Sequence, residues 1–172
     1  LHGATMTGPL MAWFSGLNAK ADAAGFIAVY PNGTGERAAY FWNAGNCCGK
    51  AAQQNVDDVA FIRAVIDDLA TAYRIDPKRV FATGISNGAM MAQRLACEKA
   101  DIFAAVAGVA GPLGFSPCTP SRPISVVYVH GTEDATVGYS SARPTVNGWA
   151  ARNGCTGSPI ETYNLGSTVC ET

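Results

Sequence analysis

Short apolar runs alternate with amphipathic segments along most of the chain. Four runs are rich in apolar residues and end near Gly, Pro or His-Gly, a pattern typical of short buried strands. They cover residues 26–30, 79–85, 104–110 and 125–129. Near-continuous apolar strands are typical of a parallel sheet that is covered on both faces. The pattern therefore predicts a parallel sheet.

The segments between these runs have helical spacing. The clearest is 55–73, where apolar residues recur on one face and Asn55 is a good N-cap. Further helices are predicted at 14–24, 87–99 and 144–152. Strands that alternate with helices predict an α/β, doubly wound fold, here in one domain over residues 1–172.

Both ends of the chain differ from what a whole domain of this class would show. Residues 1–3 resemble the end of a strand, and nothing after Cys170 resembles a final strand or helix. We therefore expect a partial domain, truncated at both ends.

The amino-acid composition limits the classes of molecule that the protein is expected to bind. Charged residues make up 15% of the chain and the net charge is −1, so no basic surface is expected for nucleic acid or anionic lipid. No run of about 18 apolar residues predicts a membrane span. A neutral substrate, polar or apolar, fits this balance best.

The six cysteines indicate disulfides rather than a metal site. There is no CxxC pair and the chain has only two histidines, which argues against zinc. Disulfides imply an oxidising compartment, and hence secretion. The one pairing we predict joins Cys155 to Cys170 across a short polar loop. Cys97, in an apolar helix, has the alternative of being a small buried hydrophobe.

The segment Gly84-Ile85-Ser86-Asn87-Gly88 is the candidate catalytic motif of the chain. A GxSxG segment between a strand and a helix is a nucleophile elbow, a sharp turn that exposes a serine hydroxyl. The predicted strand 79–85 and helix 87–99 supply this context. The alternative is a glycine-rich turn with an incidental serine.

Catalysis by Ser86 requires an oxyanion hole, an acid and a base. The backbone N–H of Asn87 and that of Ala4 (or Thr5) are the candidate oxyanion donors. Asp134 is the candidate acid, with Glu133 as the competitor, because both follow a buried strand and lie after the serine.

Neither histidine follows Asp134 in the chain. His2 belongs to the oxyanion segment, and His130 precedes the acid by a few residues, where it would support the acid loop. We therefore expect the general base to lie outside these 172 residues.

Several motifs in this order resemble the polyhydroxybutyrate depolymerase-like esterases, which include feruloyl and acetylxylan esterases of the first carbohydrate esterase family. The resemblance runs from residue 1 to about 155 and rests on the segments 1–3, 42–49, 56–59, 84–98 and 130–134. It implies an α/β-hydrolase fold with Ser86 as nucleophile and Asp134 as acid. No metal and no cofactor is implied. One departure is Ala4, where relatives often have cysteine, but a backbone N–H survives that change.

The resemblance also implies a function for the parent protein. We expect a secreted serine esterase that acts on ferulate or acetate esters of plant cell-wall polysaccharide, with a polyhydroxyalkanoate as the alternative substrate. Trp42 and Asn43 are candidates for the substrate pocket; the alternative for Trp42 is packing in a disulfide-tied loop. A non-catalytic carbohydrate-binding fragment is the alternative of another class, because the triad histidine is missing.

Overall fold

A computed structural model describes all 172 residues of the chain. In chain order the elements are α1 (Gly8–Ser15), α2 (Leu17–Ala24), β1 (Thr34–Glu36), β2 (Ala39–Phe41), α3 (Gly49–Gln53), α4 (Asp58–Ala72), β3 (Phe81–Ile85), α5 (Asn87–Glu98), β4 (Ala105–Val109), β5 (Ser125–Val129), α6 (Ala142–Arg152), β6 (Glu161–Leu165) and β7 (Thr168–Glu171). None of the helices combines the length and the hydropathy needed to cross a bilayer.

A three-stranded parallel sheet forms the centre, with the order β3-β4-β5. Helix α5 packs against β3 and β4, and α6 packs against β5. Alternate strand residues face α5, among them Ala82, Gly84, Val106 and Gly108, which are buried. The small residues at these positions let α5 approach the sheet closely. The sheet confirms the α/β expectation and places the carboxyl ends of three strands at one edge.

The opposite face of this sheet is exposed. Phe81, Val127 and Val129 point to that side and are 63%, 58% and 55% exposed. This face is therefore not covered within residues 1–172, whereas α5 packs against β3 and β4, and α6 against β5. The apolar strands themselves were predicted because their composition suits burial on both faces.

The predicted strand at 26–30 is also absent. These residues are irregular, and no strand pairs with them. A strand needs a neighbour to satisfy its backbone N–H and C=O groups, so apolar composition alone did not suffice here.

The predicted helix 14–24 is split into α1 and α2. Gly16, in the left-handed conformation with φ 59°, separates them. The helix predicted from Asn55 begins later, because the Asp57 side chain accepts a hydrogen bond from Ala60 N–H and acts as the N-cap.

The cysteine pairing differs from the prediction. Cys97 on α5 is bonded to Cys118, with the two Cα atoms 4.9 Å apart, whereas Cys155 and Cys170 are free and exposed. The structure also bonds the adjacent residues Cys47 and Cys48. The segment predicted to be a polar loop forms the β6–β7 hairpin, in which Cys170 is paired with Tyr163. Cys155 precedes the hairpin and forms no disulfide bond with Cys170.

Candidate active site

Ser86 occupies a strained turn between β3 and α5. Its φ of 53° and ψ of −124° lie outside the regions that L-residues ordinarily adopt. Its N–H donates to Val109 O at 2.8 Å, which fixes the turn to the neighbouring strand. A Cβ at Gly84 would collide with the Gly88 backbone, and one at Gly88 would collide with the carbonyls of residues 1 and 2. The glycines of the elbow are therefore required by close backbone approach, and they let α5 start directly beside β3.

The segment at residues 1–5 passes next to the serine. A Cβ placed on Gly3 would lie 3.6 Å from the Cβ of Ser86. The N–H of Thr5 donates to Tyr40 O at 2.9 Å, so it is not available to a substrate. The N–H of Ala4 has no partner within the protein. Of the two donors that the sequence left open in this segment, the geometry favours Ala4.

The N–H of Asn87 is the other candidate oxyanion donor. Asn87 is the first residue of α5, and the first N–H groups of a helix have no acceptor within the helix. No other acceptor in the protein bonds this N–H. Because it also lies at the positive end of the helix dipole, it suits a developing negative oxygen.

Trp42 lies behind the site rather than in its lining. Its side chain is fully buried, packs against the tilted ring of His2 at 4.9 Å between ring centroids, and donates from Nε1 to His2 O at 3.1 Å. Its backbone N–H and C=O are both bonded to the Asn87 side chain, at 2.7 and 2.9 Å. The structure thus favours the packing alternative for Trp42, which ties the oxyanion segment to the start of α5.

Asn43 is equally buried and fully bonded. Its N–H donates to Asp58 Oδ2 at 2.6 Å, and its side-chain amide donates to Val56 O at 2.9 Å. Its carbonyl accepts from Arg94 at 2.7 Å. Burial raises the pKa of Asp58. With its polar atoms occupied inside the protein, Asn43 holds the 42–48 loop against α4 and α5, and it offers no exposed surface to a substrate.

Asp134 lies in the turn that follows β5. Its Oδ1 accepts hydrogen bonds from Thr136 N–H at 2.8 Å and Val137 N–H at 2.9 Å. The N–H groups of Val137 and Thr136 lower the pKa of the Asp134 carboxyl below its ordinary value. Its Oδ2 makes no hydrogen bond within the protein; the nearest basic atom is His130 Nε2 at 3.6 Å. The competitor Glu133 is exposed. Asp134 is thus an ionised carboxylate with one oxygen left for a further partner.

Both histidines are engaged within the protein. His2 is 1% exposed, with Nδ1 on Gly3 O at 2.8 Å and Nε2 accepting from Gly33 N–H at 3.0 Å. Burial lowers the pKa of His2, which keeps it neutral. His130 contacts Val137 O through Nε2 at 2.7 Å and the Tyr128 hydroxyl through Nδ1 at 3.0 Å. Neither ring presents a free nitrogen to Ser86.

Sequence analysis missed the contribution of the loop after β4. A Cβ on Gly111 would collide with Ser86 O, so this glycine lets the loop pass beside Ser86. Gln93 Nε2 donates to Gly111 O, and Gln93 Oε1 accepts from Trp149 Nε1 at 2.8 Å. The Gly-Pro pair directly after the apolar run 104–110 was the available signal.

A cavity of about 380 Å³ adjoins this loop. It lies between the loop and α6, and its lining includes Pro112, Leu113, Thr145 and Arg152. None of its lining residues belongs to the elbow at 84–88 or to the turn of Asp134.

A parallel sheet with flanking helices, a serine in a strained strand-to-helix turn and an acid after a later strand define an α/β-hydrolase. A model of the prolyl oligopeptidase family matches residues 12–116, and the chain belongs to that family. The resemblance to esterases is confirmed by curated relatives. The chain is 43% identical over 136 residues to "Putative esterase NocK" of Nocardia uniformis, covering 78% of this chain and 38% of that protein. It is 32% identical over 186 residues to feruloyl esterase B of Piromyces equi, covering 95% of this chain and 33% of that protein.

Solved structures support the fold. The carboxylesterase of Bacillus cereus superposes with a TM-score of 0.69 at 16% identity, over 89% of this chain and 72% of that one. The chain thus spans about a third of the length of the two curated relatives, and most of the length of this structural neighbour.

Proposed function

We propose that the protein is a serine ester hydrolase whose nucleophile is Ser86. The observation that carries this proposal is the strained elbow at Ser86. Gly3 lies beside it, and the N–H groups of Ala4 and Asn87 have no partner in the protein. Non-glycine residues keep such a backbone conformation only where the surrounding structure enforces it, and such positions cluster at active sites.

The reaction follows from this arrangement. Ser86 Oγ attacks the ester carbonyl carbon while its proton passes to an imidazole, and the carbonyl oxygen becomes an oxyanion bonded by the two N–H groups. The ester C–O bond then breaks and the alcohol leaves with that proton. Water, deprotonated by the same imidazole, attacks the acyl-enzyme and releases the acid and Ser86. The Oδ2 atom of Asp134 orients the imidazole and stabilises its charged form.

We place this imidazole on a histidine outside residues 1–172. The support is that His2 and His130 have both ring nitrogens bonded within the protein. Removing a triad member costs several orders of magnitude in kcat. The 172-residue chain alone should therefore hydrolyse p-nitrophenyl acetate only weakly. Robust turnover that Ser86→Ala abolishes would show that one of these histidines can leave its place and act as the base.

The substrate that we favour is a ferulate or acetate ester of plant cell-wall polysaccharide, cleaved outside the cell. Similarity to a feruloyl esterase supports the acyl group, and the Cys97–Cys118 bond supports an oxidising compartment.

The test compares methyl ferulate with polyhydroxybutyrate films, using the protein with its flanking sequence and the Ser86→Ala variant as blank. We expect ferulate release that depends on Ser86. Film clearing without ferulate release would instead favour a polyhydroxyalkanoate depolymerase. Polysaccharide binding that survives Ser86→Ala, without turnover of either substrate, would favour the carbohydrate-binding alternative.

A matched pair of variants tests the acid. Asp134→Asn should lower kcat by about 10⁴-fold, because the imidazole loses the carboxylate that orients it. Glu133→Gln, one residue away and exposed, should leave kcat within a few-fold. A larger loss of kcat in Glu133→Gln than in Asp134→Asn would identify Glu133 as the acid.

A further inference from the structure

His130 is the most confined titratable side chain near the proposed acid. Only 2% of its side chain is exposed. It follows β5 on the same face as Tyr128, since residues two apart along a strand point to one side. Tyr139 closes the remaining side with its ring edge-on, at 5.8 Å and 87°. The imidazole is therefore held in one orientation between β5 and the turn that follows it.

The two contacts of the ring define its tautomer. A carbonyl can only accept, so the 2.7 Å contact with Val137 O requires a proton on His130 Nε2. In the neutral ring Nδ1 is then the acceptor, and the Tyr128 hydroxyl donates to it at 3.0 Å. Burial raises the pKa of Tyr128, which keeps that hydroxyl protonated and able to donate.

Val137 connects this ring to the acid. Its C=O accepts from His130 while its N–H donates to Asp134 Oδ1 at 2.9 Å. The turn is closed by Asp134 N–H, which donates to Gly131 O at 3.2 Å. Thr136 N–H also donates to Oδ1, at 2.8 Å, whereas Oδ2 accepts no hydrogen bond and lies 3.6 Å from His130 Nε2. The position of Val137 therefore sets one of the two bonds that occupy Oδ1.

We propose that His130 is a positioning residue: through its Nε2–H bond to Val137 O, it holds the acid turn so that Asp134 Oδ1 is occupied and Oδ2 faces the catalytic imidazole. Tyr128 fixes the tautomer that makes this bond. His130 acts through Val137 and does not touch the substrate. The inference rests on the proposed role of Asp134, but the geometry of the turn can be measured without turnover.

Two amide substitutions separate this role from simple packing. The side-chain nitrogen of Gln reaches the position of His Nε2, whereas that of Asn reaches the position of His Nδ1. His130→Gln can therefore donate to Val137 O, and His130→Asn can donate only toward Tyr128. Both variants introduce the same amide group, so a difference in the Asp134 pKa between them would show the effect of the hydrogen bond to Val137 O.

The readout is the pKa of Asp134, followed by NMR through its side-chain carboxyl carbon. His130 and Tyr128 are the titratable groups that interact with this carboxyl, and Tyr128 is kept unchanged. In the unsubstituted chain we expect a pKa below the ordinary value of about 3.9 and a proton on His130 Nε2. His130→Gln should retain the lowered pKa, and His130→Asn should return it toward the ordinary value.

The same two variants in the active protein should differ in kcat, with Asn the slower, and have similar KM values. Equal Asp134 pKa values in the Gln and Asn variants, or a proton on Nδ1 in the unsubstituted chain, would overturn the proposal. If the NMR results hold but Ser86-dependent hydrolysis is absent, the proposed function fails while the positioning of Asp134 stands.

Discussion

Replacing Ser86 by glycine should stabilise the chain relative to replacing it by alanine. With φ at 53° and ψ at −124°, residue 86 is in a conformation that glycine adopts without a Cβ clash. Such a conformation costs a non-glycine residue about 1–3 kcal/mol. Glycine loses about 0.5–1 kcal/mol more backbone entropy on folding than alanine does. The free energy of unfolding of Ser86→Gly should therefore exceed that of Ser86→Ala by about 0–2.5 kcal/mol.

Ser141 provides the control. It precedes α6 with φ −80° and ψ −16°, an ordinary helical conformation. There the order should reverse, with Ser141→Ala more stable than Ser141→Gly by about 0.5–1 kcal/mol. Both substitutions at Ser141 remove the same hydroxyl bond to Gly138 O, so that loss cancels in the comparison.

Urea unfolding of the four variants, followed by circular dichroism, gives the differences from the transition midpoints. If alanine is more stable than glycine at both positions, residue 86 is not strained. The structural basis for assigning the nucleophile would then be lost. If glycine is more stable only at residue 86, strain at the nucleophile is demonstrated without any activity measurement.

Three further results are expected. Trp42→Phe should lower the free energy of unfolding by about 1–3 kcal/mol, because His2 O loses its buried donor. It should leave KM for an aryl ester unchanged. A changed KM with unchanged stability would instead indicate that Trp42 lines the substrate pocket. Because burial lowers the pKa of His2, the unfolded chain protonates this histidine at a higher pH than the folded chain does. Stability should therefore fall as pH drops below about 6.5. The slope contributed by this group is at most about 1.4 kcal/mol per pH unit, and it should disappear in His2→Gln. Replacing both Cys97 and Cys118 by alanine should lower stability by about 3 kcal/mol in urea unfolding, since their bond closes a loop of 21 residues. No change would mean that the bond does not form.

The parts of the fold that were predictable from sequence are those decided by local pattern. The bounds of β5 agree with the apolar run at 125–129, and α5 begins at Asn87 as the elbow requires. The strand expected at 26–30 depended on neighbours that the pattern does not specify. The hairpin β1–β2 was missed because each of its strands has only three residues, and β6–β7 was missed because both of its strands contain several polar residues.

The candidate site shows the same division. Ser86, Asn87 and Asp134 could be found because each follows a strand in a recognisable segment. Sequence left Ala4 and Thr5 open, and the choice depended on where Tyr40 O lies. Trp42 could not be placed from its neighbours in sequence, because its burial depends on contacts with His2 and Asn87.

The approach of Gly3 to Ser86 has a consequence for folding. Residues 1–5 are at the start of the chain, Ser86 lies near its middle, and Asp134 lies beyond residue 130. Contacts between such distant positions require long loops to close, which slows folding and makes them form late. A peptide containing only β3 and α5 would therefore not reproduce the strained elbow. If Ser86 is the nucleophile that we propose, its reactivity would report that these distant contacts have formed.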